Sequence, residues 1–230
     1  MKLPILYAKM NMVLIKNNYH LERTRLIMKH LTTKDLMTAG IFSALYFLAI
    51  GLVTFICMFT LPVLGNFLLP AVAALTTGSI YFLLLKQVPK FGAITIFSLV
   101  MGTFLLLSGH FPLAIIANLG FSGLADWFTY RTTFQTKHKS LLGYILFSYG
   151  LTGPLLPLWF MKQQYIDNLT SRGKTATYIS GMFQYVTPTF FILLMFFILI
   201  GAILGGIYGQ KLVAKHFGQT SSKQISDLYD

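Results

Sequence analysis

The sequence predicts an all-α membrane protein, a compact bundle of six transmembrane helices with both termini in the cytoplasm. Hydrophobic residues make up 55% of the 230 positions and charged residues only 10%, whereas a soluble domain carries about 25% charged residues. The mean hydropathy is +0.68. Because so few polar groups cannot cover a folded surface, lipid must supply part of the solvent. This composition excludes a soluble globular domain.

Six apolar stretches approach the roughly 20 residues that a helix needs to cross the hydrocarbon core. Helices are expected because lipid offers no partner for backbone N–H and C=O groups. The third and fourth stretches are short and nearly meet at Ser108-Gly109-His110. In chain order, the predicted spans are Leu36–Met58, Phe67–Leu85, Phe91–Leu107, Phe111–Thr129, Leu141–Phe160 and Thr187–Leu212.

Lysine and arginine divide unevenly between the two sides of this bundle. Fifteen of the 18 lie in the N-terminal segment, the second and fourth loops and the C-terminal tail. The other three, Lys162, Arg172 and Lys174, lie in the fifth loop. Positively charged loops stay in the cytoplasm. The distribution therefore predicts that both termini are cytoplasmic, and it explains the net charge of +12 without a nucleic-acid surface.

The sequence divides into three parts. Residues 1–33 form a basic N-terminal arm, residues 34–217 the membrane domain, and residues 218–230 a polar cytoplasmic tail. We expect no signal peptide, because the first apolar run begins late, is too long and lacks a cleavage site. Residues 1–27 suit either a basic interfacial arm or a segment upstream of a true start at Met28, and we favour the second interpretation.

The cytoplasmic half of the predicted bundle is rich in small residues. On the first span, Ala39 and Ser43 are four residues apart, and so are Gly40 and Ala44. The sixth span repeats glycine at every fourth position, at Gly201, Gly205 and Gly209. Small residues at this spacing let helix backbones approach closely. For the sixth span we favour packing inside the bundle, whereas the first span suits either internal packing or docking of a partner helix.

Polar and helix-bending residues collect in the external half. The fifth span contains Pro154 and Pro157, and backbone freed by proline is tolerated at membrane depth where it is buried in protein or lines a cavity. The fifth loop, Met161–Val186, is long enough for a lid. We therefore predict a pocket for a small, uncharged or weakly charged organic molecule. Its candidate residues are Asn66, Asn118, Thr152, Trp159, Gln163, Tyr165 and Gln184.

Each candidate also has a purely structural interpretation. Asn66 suits a helix cap, and Trp159 and the tyrosines suit an interfacial belt. Asn118 is the best single candidate, because an amide at that depth needs a partner from a neighbouring helix or a ligand. His110 is more typical of an interface residue than of a site.

Asp126 is the only acid within a predicted span. Acids inside the membrane are functional hypotheses by default. Because Asp126 lies near the cytoplasmic end of the fourth span, we expect a structural ion pair with Arg131 or Lys137. A proton-coupling role is less favoured, because one acid at the membrane edge makes a poor relay.

Patterns for catalysis and cofactor binding are weak. Arg172-Gly173-Lys174-Thr175 resembles the end of a phosphate-binding loop, but Asn168 stands where that loop needs glycine. Cys57 is the only cysteine, which excludes an internal disulfide, and no metal-ligand spacing occurs. We therefore expect no enzymatic activity, no cofactor and no metal.

Two segments carry a resemblance to a known family. Leu31-Thr32-Thr33-Lys34-Asp35-Leu36 is followed by Gly40-Ile41-Phe42-Ser43-Ala44-Leu45-Tyr46, and Gly153-Pro154-Leu155-Leu156-Pro157-Leu158 comes later. Over roughly Met28 to Phe217 the chain resembles substrate-binding (S) components of energy-coupling factor (ECF) transporters, and it is most similar to the Trep_Strep or MptD-type group.

That resemblance implies a non-enzymatic capture subunit of an ABC-type importer. Such a subunit binds a vitamin-like micronutrient in its outer half and docks on a transmembrane coupling subunit that two cytoplasmic ATPases drive. Docking uses small residues of the first helix, typically Ala-x-x-x-Ala. The matching positions here are Gly40 and Ala44, so glycine replaces the first alanine, and Ala39 and Ser43 lie beside them.

Two other functions compete with this one. A self-sufficient secondary transporter or channel would favour internal repeats and buried charges, and the sequence has neither. A small intramembrane enzyme would need His, Asp or Glu clustered at a common depth, and only Asp126 meets that condition.

Overall fold

The computed structural model describes residues 30–61, 63–131 and 136–217, and the regular structure within these ranges is entirely helical. Most of the predicted N-terminal arm and the whole predicted tail lie outside the described residues. A 3₁₀ turn at Gly150–Thr152 separates the sixth helix from the seventh. The helices are α1 Thr33–Thr60, α2 Leu64–Thr76, α3 Gly78–Gln87, α4 Ala93–Leu107, α5 Leu113–Arg131, α6 Thr136–Tyr149, α7 Pro157–Phe160, α8 Lys162–Ser171, α9 Ala176–Phe183 and α10 Pro188–Phe217.

Two of these helices, α1 and α10, are each long and apolar enough to cross a membrane. The pair α2 and α3 meets the same condition as one broken span with a bend of 47°. α4 is apolar but has only 15 residues, or about 22 Å at 1.5 Å per residue, which is shorter than a hydrocarbon core of about 30 Å. The all-helical membrane class is confirmed in the described part of the chain, and the count of six crossings stays a prediction.

The break in the second predicted span lies at Thr77, between α2 and α3. A bend of this size frees a carbonyl that an unbroken helix would pair with its own backbone. The hydroxyl of Tyr144 on α6 donates to Ala74 O, and the Thr77 hydroxyl donates to Ala73 O at 2.7 Å. Ala73 O also accepts the Thr77 backbone N–H at 2.9 Å, so the side chain of Tyr144 is the partner of the carbonyl at the bend that the backbone leaves free.

The glycines of α10 lie against this bent pair. A Cβ added at Gly201 would overlap Ala71 O, and one added at Gly205 would overlap Ala74 O. A Cβ at Gly209 would overlap the backbone of Gly78. The repeat therefore serves packing inside the bundle, as the sequence favoured, because only a missing side chain allows backbones this close.

Asp126 of α5 connects the two helices through hydrogen bonds with the start of α4. Gly92, the residue before α4, has no side chain to cap the helix. The buried Asp126 carboxylate instead accepts hydrogen bonds from Thr95 N at 2.8 Å, from Ile94 N at 3.3 Å and from the Thr95 hydroxyl. The predicted ion pair with Arg131 or Lys137 stays a prediction, because the side chains of both residues lie outside the described part of the chain.

The fifth predicted span is broken near its C-terminal end. α6 stops at Tyr149, and four turn residues follow the 3₁₀ turn before α7 begins at Pro157. A Cβ at Gly150 would press against Asn118 of α5, and one at Gly153 would overlap Ala114 O. The two glycines thus let irregular backbone lie directly against α5.

Buried apolar side chains form two clusters. The larger one, the main core, joins α1, α3, α4, α5 and α6 around rings such as Tyr46, Tyr81, Phe97 and Tyr144. The second, the loop core, joins α2 and α10 to the loop helices α8 and α9 through Phe67, Leu169 and Met182. The fifth loop is therefore packed onto the bundle through its own two helices.

Candidate functional site

The predicted docking residues on α1 divide between its inner and outer sides. Ala39 and Ser43 are buried, and the Ser43 hydroxyl donates to Ala39 O at 2.8 Å and to Phe97 O of α4 at 3.3 Å. Gly40 has no atom within 4 Å of the place a Cβ would take, and Ala44 is exposed. One pair therefore packs α1 against α4, and the other lies on its uncovered side.

That uncovered side of α1 is long and apolar. It carries large exposed side chains at Ile41, Leu48, Leu52 and Phe55, each more than 60% exposed. Gly51 also has open space where its Cβ would be. The face thus combines bulky apolar residues with shallow points where another helix backbone can approach.

Asn66 connects the bundle to the loop helices. It is the third residue of α2, whose N-cap is Val63, so it does not cap that helix. Its Nδ2 instead donates to the hydroxyl of Tyr178 on α9. Burial raises the pKa of Tyr178, and this hydrogen bond opposes the shift. This hydrogen bond between the neutral Asn66 amide and the neutral Tyr178 hydroxyl holds α9 against the first turn of α2.

Asn118 and Thr152 lie together at the broken end of the fifth span. Asn118 is 4% exposed and Thr152 is 2% exposed. The Thr152 hydroxyl donates to Tyr149 O at 2.7 Å, and Asn118 faces the 3₁₀ turn at Gly150. The structure thereby brings two of the predicted site residues into one buried polar region.

Trp159 lies in an aromatic group beside this region. Its Nε1 donates to Thr187 O at 3.2 Å. Its ring centroid lies 6.1 Å from that of Phe67 and 5.1 Å from that of Phe191. Phe67 also contacts Tyr185 and Phe190. No sequence signal marks Phe67 or Phe190, because phenylalanine in an apolar span does not separate a site from a core.

The remaining candidates lie on the loop helices and point in different directions. Tyr165 packs against Phe183, and burial, with Tyr178 nearby, raises the pKa of Tyr165 to about 12. Gln163 is exposed and donates to Asp167 Oδ1 at 3.0 Å, while the exposed Gln184 ends α9. These two amides are therefore not gathered with Asn118 and Thr152.

The structure brings one buried amide, Asn118, and one buried hydroxyl, Thr152, together at the end of the bundle that carries the loop helices. Sites for small organic molecules combine a few polar groups of this kind with apolar and aromatic side chains. Within the described residues no group of three or more His, Cys, Asp or Glu side chains could hold a metal ion. The side chains of the region are neutral polar and aromatic groups.

Comparison with known proteins locates the chain in a family but gives no closer relative. Neither the curated proteins nor the solved structures contain a match. A family model described as a hypothetical bacterial integral membrane protein, Trep_Strep, matches residues 33–219. That match covers every helix described above, from Thr33 to Phe217. The chain therefore belongs to the Trep_Strep family of bacterial integral membrane proteins.

Proposed function

We propose that this protein is the substrate-capture (S) subunit of an ECF-type ABC importer. In this proposal it binds a vitamin-like micronutrient at its external end and is not an enzyme. It docks on a transmembrane coupling subunit that two cytoplasmic ATPases drive. All six predicted spans cross the membrane, and both termini are cytoplasmic.

The uncovered side of α1 carries the proposal. Gly40 and Ala44 lie one turn apart on a face with open space over Gly40 and exposed apolar side chains along its length. A surface that contacted only lipid would have no need of small residues, because large apolar side chains pack against lipid equally well. A pair of small residues at this spacing favours close approach of another helix, as docking on a coupling subunit requires.

The external region supports the capture step. Asn118 and Thr152 are buried beside broken backbone, and Trp159 adds an aromatic wall. The loop helices cover this end of the bundle and are held by the Asn66–Tyr178 contact. A bound solute would need this contact to open and close again, which gives α8 and α9 the role of a lid.

The docking step is tested by co-purification with candidate coupling-complex subunits. Gly40→Leu and Ala44→Leu each fill the shallow part of the α1 face, so we expect recovery of the ATPase subunits to fall at least tenfold. Gly120→Leu is the matched control, because Gly120 on α5 is exposed and also has open space around it. Equal recovery with all three variants would remove the docking proposal.

The capture step is tested by mass spectrometry of small molecules retained by the purified chain. We expect Asn118→Ala to lose the retained solute while the chain stays folded, and Gln163→Ala to keep it, because Gln163 is exposed and bonded to Asp167. The alternative function is a self-sufficient secondary transporter or channel for a small organic solute. Full transport by the lone chain in liposomes would favour that alternative.

A further inference from the structure

A groove runs between the two loop helices, away from the buried polar region. Its volume is about 410 Å³, and its described lining residues are Lys162, Ile166, Thr170, Lys174, Ala176, Ile179, Ser180 and Phe183. None of the seven predicted pocket residues is among them. The floor is apolar, and two hydroxyls and two ammonium groups lie around it. The volume falls in the range of about 300–1,000 Å³ typical of sites for small ligands.

Both lysines of the groove are held by rings of α9. Lys162 Nζ lies 5.2 Å from the centre of the Phe183 ring, and Lys174 Nζ lies 5.1 Å from the centre of the Tyr178 ring. Those two rings are five residues apart on α9, about 7.5 Å along the helix axis. Because Lys162 and Lys174 both line the groove, an anion bound in it lies between two ammonium groups.

The groove has no negative charge to balance these lysines among its described lining residues. Asp167, the acid of α8, is not among the residues that line the groove. The positive charge is thus available to a ligand, and the apolar floor adds a preference for a ligand that carries hydrocarbon beside its anionic group.

The position of Lys162 indicates where such a ligand comes from. Lys162 lies two residues after Phe160, the last residue of α7, which is 71% exposed. Trp159 and Phe191 lie beside Phe160. Exposed aromatic residues next to a lysine are typical of the lipid–water boundary. One end of the groove therefore lies beside residues of the kind that favour the headgroup region.

We propose that the α8–α9 groove binds an anionic phospholipid. The lipid phosphate lies between Lys162 and Lys174, and the glycerol and first methylene groups contact Ile166, Ile179 and Phe183. A bound lipid would clamp the two loop helices together. The site requires neither a coupling subunit nor a transported solute, so it stands or falls separately from the function proposed above.

The test is native mass spectrometry of the delipidated, full-length chain titrated with phosphatidylglycerol or with phosphatidylcholine of the same acyl chains. We expect the anionic lipid to bind at least tenfold more tightly. A lysine near an anionic lipid surface contributes about 1 kcal/mol, or roughly fivefold in affinity. The double variant Lys162→Gln/Lys174→Gln should therefore bind phosphatidylglycerol about 30-fold more weakly, and Lys162→Arg/Lys174→Arg should keep its affinity.

The matched control is Lys211→Gln/Lys215→Gln, which removes the same charge from two exposed positions on α10. It should leave phosphatidylglycerol binding unchanged. Equal loss in this control, or no preference for the anionic lipid, would overturn the proposal. Displacement of phosphatidylglycerol by equimolar glycerol phosphate would also overturn it, because the site would then recognise a soluble anion and not a lipid.

Discussion

Asp126 shows how a single buried carboxylate can replace a missing helix cap. The first backbone N–H groups of a helix have no partner within it, and glycine at position 92 provides none for α4. Asp126 accepts two of these N–H groups and the Thr95 hydroxyl from the neighbouring helix. Its burial is therefore explained by hydrogen bonds, and its principal role is to hold α4 and α5 together.

Removal of this cap should destabilise the protein. We expect Asp126→Ala to cost about 2–3 kcal/mol, because it leaves buried N–H groups without an acceptor, and Asp126→Asn to cost less because its amide oxygen still accepts. Unfolding of the purified protein in detergent measures the difference. Asp167→Ala on exposed α8 is the control, and an Asp126→Ala variant as stable as that control would contradict the capping role.

His110, between α4 and α5, is a buried titratable group whose surroundings disfavour its charged form. Burial, followed by the positive charge of Arg172, lowers the pKa of His110 below its usual 6.5. Its Nδ1 is buried and has no hydrogen-bond partner among the described residues. The folded state therefore favours the neutral ring, whereas the unfolded chain takes up a proton once the pH falls below about 6.5.

Stability should accordingly fall as the pH drops through 6.5 toward the folded pKa, because the unfolded state binds more protons there. We expect the unfolding temperature of the wild type to drop more between pH 7.5 and pH 5.5 than that of His110→Asn. His216→Asn, at an exposed position, should behave like the wild type. Parallel pH profiles for the wild type and His110→Asn would show that this histidine has no part in the effect.

Two glycines that lie in the same kind of small-residue repeat, with a spacing of four, differ in what surrounds them. Gly205 of α10 lies against Ala74 O and the backbone of Leu75, whereas Gly40 of α1 faces open space. Sequence spacing is the same in both cases, so the motif alone does not reveal which glycine packs internally. Only the neighbouring helix decides the role.

The same substitution at these two positions should therefore act in opposite directions. Gly205→Ala forces α10 away from α2, and we expect it to destabilise the protein by about 1–3 kcal/mol. Gly40→Ala should be neutral or stabilising by up to about 1 kcal/mol, because alanine is the better helix former and nothing obstructs it. Thermal unfolding of the two variants measures the contrast, and a loss of stability at Gly40→Ala would mean that the α1 face is covered.

Two of the predicted spans contain helix breaks that the hydropathy of the sequence does not reveal. The second predicted span is one apolar stretch in sequence but two helices bent by 47° in the structure. The fifth ends in a 3₁₀ turn and a four-residue helix. Pro154 and Pro157 indicated the break in the fifth span. No proline stands at the bend at Thr77, where the hydroxyl of Tyr144 from another helix donates to Ala74 O.

For the molecule as a whole, the proposed orientation puts α8 outside the cell and the end of α10 inside. A Cys57→Ala background removes the only cysteine, and Ser171→Cys or Lys215→Cys then adds one at an exposed position. We expect a membrane-impermeant maleimide to label Ser171→Cys in intact cells and Lys215→Cys only after lysis, because the positively charged ends stay in the cytoplasm. Labelling of Lys215→Cys in intact cells would invert the orientation and remove the proposed mechanism.

The sequence by itself determined that this protein is helical and lies in a membrane, because apolar composition and the need to satisfy the backbone act locally along the chain. It also favoured internal packing for the glycines of α10, without identifying the backbone that they contact. The partners of Asp126 and Asn66, the division of α1 into a buried pair and an uncovered pair, and the groove between α8 and α9 were decided only by the tertiary structure. Each depends on which distant helix lies beside a residue, and helical periodicity gives the spacing of a face but not what covers it.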